Sequence, residues 1–321
     1  MAQAFSTSGA QTAGVLLKTI PKEQQLVIAR ELIINLRSTF DVASASLAVE
    51  LVADRVDSAL GDELLDVFRT RLEDGSPDQV VSLLASCPKL LGQLVTLAAQ
   101  HLEHPETYAT IEPIKVASEP TDPDEQTGLG RVEHDENDTV NSVLLQWLRF
   151  AKIAISSGHL LQPENEQRLF TSALKSLNNI SRPTALAARD LVFLLISSPA
   201  AQQNLEAVQT TITSLIAARD AKLQQTLGYA LWMRLLAASD AVDLSQLDLS
   251  DDSYWEPLLS GLRNGDAERR KLCLDILKRS VAFAVEQERI GAVARVDTGK
   301  WSKLCFVPPI VSRSPISKTS G

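Results

Sequence analysis

Aromatic residues make up only 5% of this 321-residue chain. A core resting on a few large rings is thereby excluded, and the Leu and Ala that dominate the apolar set imply many small aliphatic contacts, as in helical bundles and solenoids. Cysteine is scarce as well. Cys87, Cys273 and Cys305 stand far apart without CxxC spacing, which argues against a disulfide framework or a zinc site and fits a reducing compartment. Long apolar runs are missing: the longest, LVFLLI, covers Leu191 to Ile196, far short of the ~18 residues of a membrane span. The N-terminal stretch MAQAFSTSGAQTAGVLLKTIPK lacks a basic region ahead of its short apolar run, so no signal peptide is read there, and cytoplasm or nucleus is the expected location. An excess of cations is also absent. The net charge of -9 and pI near 5.1 exclude a surface that is basic throughout, as a dedicated nucleic-acid-binding domain would have.

What is present is an ordinary globular balance, 45% apolar against 22% charged residues, enough to rule out global disorder. Helical periodicity recurs along most of it. Leu26, Ala29, Ile33 and Leu36 fall on one stripe, Asp41 is placed to cap a following helix, and Val49, Val52, Val56 and Ala59 share its face. Leu65, Phe68 and Leu72 continue the pattern, EDGSP supplies a stop and a new start, and Pro88 divides SPDQVVSLLASCPKLLGQLVTLAAQHL into two helices. About five helices are thus expected in the first hundred residues.

Downstream, Val140, Leu144, Trp147, Leu148, Ala151 and Ile155 form a stripe, followed by Leu169, Phe170, Ala173, Leu174 and Leu177. A helix from Pro183 carries Leu191, Leu194 and Leu195, SSPAAQQN interrupts it, and Leu205, Val208, Ile212 and Leu215 resume. Leu223, Leu227, Leu231 and Leu235 come next. No segment alternates convincingly enough to be a strand. The expected fold class is all-α, a HEAT or armadillo-like solenoid, with an irregular helical bundle as the second choice, although no sequence self-similarity recurs at a repeat period.

The expected organisation is a disordered N-terminus at 1–20, a first helical block at 21–114, a flexible acidic loop at 115–139, a second block at 140–288 and a basic, poorly structured tail at 289–321. The loop rests on ASEPTDPDEQTGLGRVEHDENDT, whose eight acidic residues, two prolines and two glycines bring too little apolar surface to offset the entropy of ordering. The tail carries six Lys and Arg against Asp297, leaving 25 basic and 39 acidic residues before it, so tail and body would meet different partners.

Chemistry is thin. His101 and His104 share a helical face with Glu103 and Glu106 nearby, but no third or fourth ligand converges, so they read as a surface cluster at a helix end. His134 and His159 offer no evident general base. GLGR, Gly128 to Arg131, is too short for a phosphate loop and follows no strand. The adjacent acids Asp251 and Asp252, or Asp135 and Glu136, read as solvation or helix-start charges. No GxSxG, HExxH or Walker pattern occurs. No catalytic, cofactor-binding or metal-ligating residue is assigned.

The stretch DDSYWEPLLSGLRNGDAERRKLCLDILKRSV holds the remaining signal. Trp255, Leu258, Leu259 and Leu262 give a first helix its buried face, Asn264 and Gly265 end it, and Asp266 caps a second helix with Cys273, Ile276, Leu277, Ser280 and Ala284 on its stripe. Arg269, Arg270, Lys271, Lys278 and Arg279 spread over a broad polar arc of that second helix and are the candidate RNA or partner contacts. With its aromatic-Trp start, LLxGL core and RRKxxLxILKRSV run, Tyr254 to Val281 resembles a segment in the N-terminal helical region of the eukaryotic tRNA guanosine 2′-O-ribose methyltransferases, the family that includes TAR RNA-binding protein 1. The resemblance implies a helical array that positions tRNA, with catalysis by a knotted SPOUT-type domain that binds S-adenosylmethionine. No strands or glycine-rich cofactor loops of such a domain are read after Val281, so no cofactor is expected on this chain. Its expected partners are tRNA or, for a stand-alone solenoid scaffold, a protein; no membrane association is expected.

Overall fold

A computed structural model describes residues 19–105, 132–218, 222–244, 252–263 and 266–289, and every regular element among them is helical. The protein is all-α. The expected N-terminal segment, most of the acidic loop and the basic tail lie outside the described residues.

The helix starts follow local chemistry. Helix α1 (Lys22–Ser38) begins after Pro21 and buries Ala29, Ile33 and Leu36 on its stripe. Helix α2 (Val42–Val52) starts where the Asp41 carboxylate accepts a hydrogen bond from the Ser44 backbone N–H at 2.8 Å. That satisfies one of the orphan donors of the first turn. The stripe through Val49, Val52 and Val56 is broken after Val52 by a 3-10 turn, Ala53–Arg55, so Ala59 opens the next helix, α3 (Ala59–Glu73). Proline then punctuates the chain. It stands in the first turn of α4 (Pro77–Leu84), α5 (Pro88–Glu103), α7 (Pro163–Ser176), α8 (Arg182–Leu195) and α9 (Pro199–Gln203). There its missing N–H costs nothing, while it bars the preceding residue from helical geometry. The stretch SSPAAQQN is therefore not only a break, since it contains the short α9 ahead of α10 (Leu205–Ala217).

Helix α6 spans Val132–Ser156, eight residues earlier than the expected boundary at 140. Those residues include Glu133, Asp135, Glu136 and Asp138. Low hydrophobicity suggested a loop here, but acidic residues are favoured at a helix N-terminus by the backbone dipole.

Two compact units are distinguished, Met1–Leu231 and Trp232–Gly321, and the division falls within α11 (Lys222–Ala237). In the first unit each helix packs mainly on those one or two places away in sequence: α1 on α2 and α3, α5 on α6 and α7, α6 on α8, α7 on α8. This near-neighbour packing is the habit of helical solenoids. Across the acidic segment, α3, α4 and α5 all pack on α6. Trp147, Phe150, Phe170, Phe68 and a majority of leucines form the core between them. The second unit contains the hairpin of α12 (Asp252–Leu262) and α13 (Ala267–Arg289). Trp232 and Tyr254 meet edge to face at 4.9 Å, and the Tyr254 hydroxyl pairs with Ser280 Oγ at 2.6 Å.

Candidate functional site

On α13, Asp266 caps the first turn by accepting from the Glu268 backbone N–H at 3.0 Å. Cys273, Ile276 and Ser280 are buried, with Ser280 Oγ also donating to the Ile276 carbonyl at 2.9 Å. At 100° per residue this turns Lys271, Lys278 and Arg279 away from the hairpin, and all three are exposed. Arg269 and Arg270 are half-buried. The broad arc is therefore divided, three cations facing solvent and two held closer to the hairpin. Lys278 lies 3.8 Å from Asp275 in an exposed pair, which screens part of its charge. Leu274 stands exposed among these cations.

A second feature lies in the Met1–Leu231 unit, where α5 passes under the α6–α7 connection. Helix α6 ends in a Schellman motif. Gly158 takes φ 92°, its N–H donates to Ile155, and the His159 N–H donates back to the Ala154 carbonyl at 3.2 Å. Glycine suits this left-handed position because it carries no Cβ. The turn lays the His159 ring against α5 at Gly92, where a Cβ would touch His159 Cε1 at 3.5 Å. A groove of about 430 Å³ results, lined by Asp57, Lys89, Gln93, His159, Leu160 and Asn165 among others.

Its polar groups are partly committed. Gln93 Nε2 donates to Asp57 Oδ1 at 3.1 Å, and Asn165 Nδ2 donates to Thr96 Oγ1 at 2.8 Å. Gln93 Oε1, by contrast, is buried and accepts no hydrogen bond among the described residues. Burial holds the His159 imidazole below its ordinary pKa, so near neutral pH it offers one donor and one acceptor. Leu160 stands at the rim, 88% exposed.

The expected His101 and His104 surface cluster is corrected. His104 is exposed just past the end of α5, but His101 is buried and stacks on the Trp147 ring of α6 at 4.5 Å. Burial, aided by the Arg69 charge, lowers its pKa to about 4. The cause is Trp147, which comes from a separate helix and was legible only as a core position. Glu73, beside Arg69, has its carboxyl pushed up by burial against the pull of that arginine. His134 lies where side chains are not described. Among the described residues no group of three or more His, Cys, Asp or Glu could hold a metal, and no helix is long and apolar enough to cross a membrane. Cys87 and Cys273 are buried and form no disulfide among the described residues.

The groove was missed in sequence because its walls come from three separate stretches. The available signal was SSGHLLQPE, a helix stop followed closely by a helix start, which brings His159 and Asn165 near one another.

Comparison with family models gives no match, and comparison with curated proteins gives none either. Among solved structures, the crystal structure of an engineered protein is similar at TM-score 0.32 and 13% identity, with 84% of this chain and 96% of that chain covered. A likeness that weak bears on neither fold nor activity.

Proposed function

We propose that this chain serves as the non-catalytic helical-repeat portion of a tRNA 2′-O-ribose methyltransferase, positioning RNA through α13. The observation that carries the reading is the solvent-facing set Lys271, Lys278 and Arg279 opposite the buried Cys273, Ile276 and Ser280. It lies within the Tyr254–Val281 stretch that resembles the family. Three exposed cations on the solvent side of one helix can each neutralise a phosphate and so add a salt-dependent term to binding. In a full-length member of that family the methyl donor would be S-adenosylmethionine, bound by a separate domain; in this reading the helices supply placement and no reacting group.

The test is tRNA binding by the full chain across a salt series. Reversing Lys271, Lys278 and Arg279 to Glu is expected to weaken binding and to reduce the slope of log affinity against log salt by about 2 to 3. Unchanged affinity and slope would remove α13 from the RNA contact.

The acidity of the chain favours a second reading, a stand-alone α-solenoid scaffold that binds a protein. The net charge of -9 opposes RNA over most of the surface but does not oppose a protein partner. A partner that stays bound after nuclease treatment, and is indifferent to the α13 reversals, would establish this reading over the first.

A further inference from the structure

We infer that α13 carries a docking face for an acidic amphipathic helix of a partner protein, made of Leu274, Leu277 and Val281 and bordered by Lys271 and Lys278. It concerns the helix assigned to RNA above but rests on an apolar stripe that the RNA reading does not use. Where both hold, the partner helix and the RNA compete.

The stripe follows from spacing. Leu274, Leu277 and Val281 stand at i, i+3 and i+7, so they line one side of the helix. That side lies about 100° round from the one on which Cys273, Ile276 and Ser280 are buried. Packing in the hairpin therefore covers it only in part: Leu274 is 44% exposed, and Leu277 and Val281 are half-buried. One exposed leucine is ordinary on a protein surface. Three aliphatic side chains in this register are the pattern of anchors through which helices dock on one another.

Charge then selects the partner. Lys271 and Lys278, seven residues apart, nearly coincide around the axis and stand exposed along one edge of the stripe. Asp275, 3.8 Å from Lys278, offsets part of that charge. Half-buried Arg270 adds a cation on the side of the stripe. A helix with an apolar face and two carboxylates seven residues apart covers the aliphatic groups and meets both lysines, as flanking charges do in paired helices. RNA meets the lysines but leaves the aliphatic groups in water. A second copy of α13 related by a twofold axis sets lysine against lysine, so self-pairing is disfavoured.

The experiment selects a phage library of helical peptides on the full 321-residue chain. Leucine is fixed at i, i+3 and i+7, and the flanking positions are randomised over Glu, Gln and Lys. Enrichment of Glu at the flanks is expected. The enriched peptide is then synthesised and titrated against the wild type, Leu274→Gln and the double variant Lys271→Glu with Lys278→Glu. These side chains are exposed, so thermal melting is expected to be unchanged. Each variant is expected to weaken the peptide about tenfold or more, and the double variant to flatten the salt dependence. Leu274→Gln removes no charge and is expected to leave tRNA affinity unaltered. Peptide binding of this pattern by a chain that binds no tRNA would support the inference and sink the RNA reading alone. The inference is overturned by failure to enrich acidic flanks, by a peptide indifferent to Leu274→Gln, or by tRNA or phosphatidylserine vesicles whose binding is lost in that variant.

Discussion

Stacked on Trp147 and screened from water, the His101 imidazole is held at a pKa of about 4 against an ordinary 6.5. Because the folded value is the lower one, the unfolded chain takes up the proton first as pH falls. Stability at this residue is therefore lost from pH 6.5 downward and levels off below about 4, with a full span of about 3 kcal/mol. Glu73 acts in the opposite sense. Burial raises its carboxyl above 4.5, so the folded state binds that proton more readily, and acid relieves a destabilisation that is present at higher pH. Urea unfolding across this range should separate them. His101→Phe, which keeps a ring against Trp147, is expected to flatten the acid-side loss, and Glu73→Gln to steepen it. A His101→Phe profile parallel to the wild type would show that the imidazole does not drive the pH dependence. That His101 is placed on α5 was legible from the period of its apolar neighbours; that it is buried was not, since its environment is set by a tryptophan on α6.

At the scale of elements, the junction between the 3-10 turn Ala53–Arg55 and α3 has little room. A Cβ at Gly61 would fall on the carbonyl oxygen of Val56 and crowd its carbonyl carbon at 2.7 Å. Neither atom belongs to a flexible side chain, so relief requires the backbone to move. Gly61→Ala is expected to destabilise the protein by about 2 kcal/mol or more, despite the gain in helix propensity that alanine ordinarily brings. A lowered urea midpoint at unchanged m-value would show it; an unchanged or raised midpoint would mean that the junction yields freely. By contrast, the ion pair of Lys152 with Asp190, 2.7 Å long between α6 and α8, sits at an exposed edge where such contacts contribute little. Interhelical stability rests on the aliphatic stripes, and those stripes were readable: Leu169, Phe170, Ala173, Leu174 and Leu177 are all buried, while Leu194, assigned to a stripe on α8, is exposed. Its position 100° from Leu195 places it on the flank of that helix and not against the core.

Across the whole molecule, packing is unevenly distributed. The pairs α5 with α7, α6 with α8, and α7 with α8 make the most extensive contacts, whereas α9 is only five residues long. Amide exchange is expected to be slowest in the buried turns of α5 to α8 and fast in α9, because local opening is cheapest where few contacts are lost. Uniform protection along the chain would contradict this gradient. The sequence by itself determined the all-α class, several helix starts and many of the buried positions, since a cap such as Asp41, a proline in a first turn and a 3.6-residue stripe act within one or two turns of backbone. It also marked Arg269, Arg270, Lys271, Lys278 and Arg279 as one helix's cations, but their division into exposed and half-buried sets required the hairpin. Only the tertiary structure decided that α3, α4 and α5 pack on α6, that the division of units falls at Leu231 and Trp232, and that Asp57, Gln93 and His159 share a groove. Which faces meet depends on the complementarity of side chains far apart in the chain, and local periodicity carries no record of the partner that each apolar stripe will find.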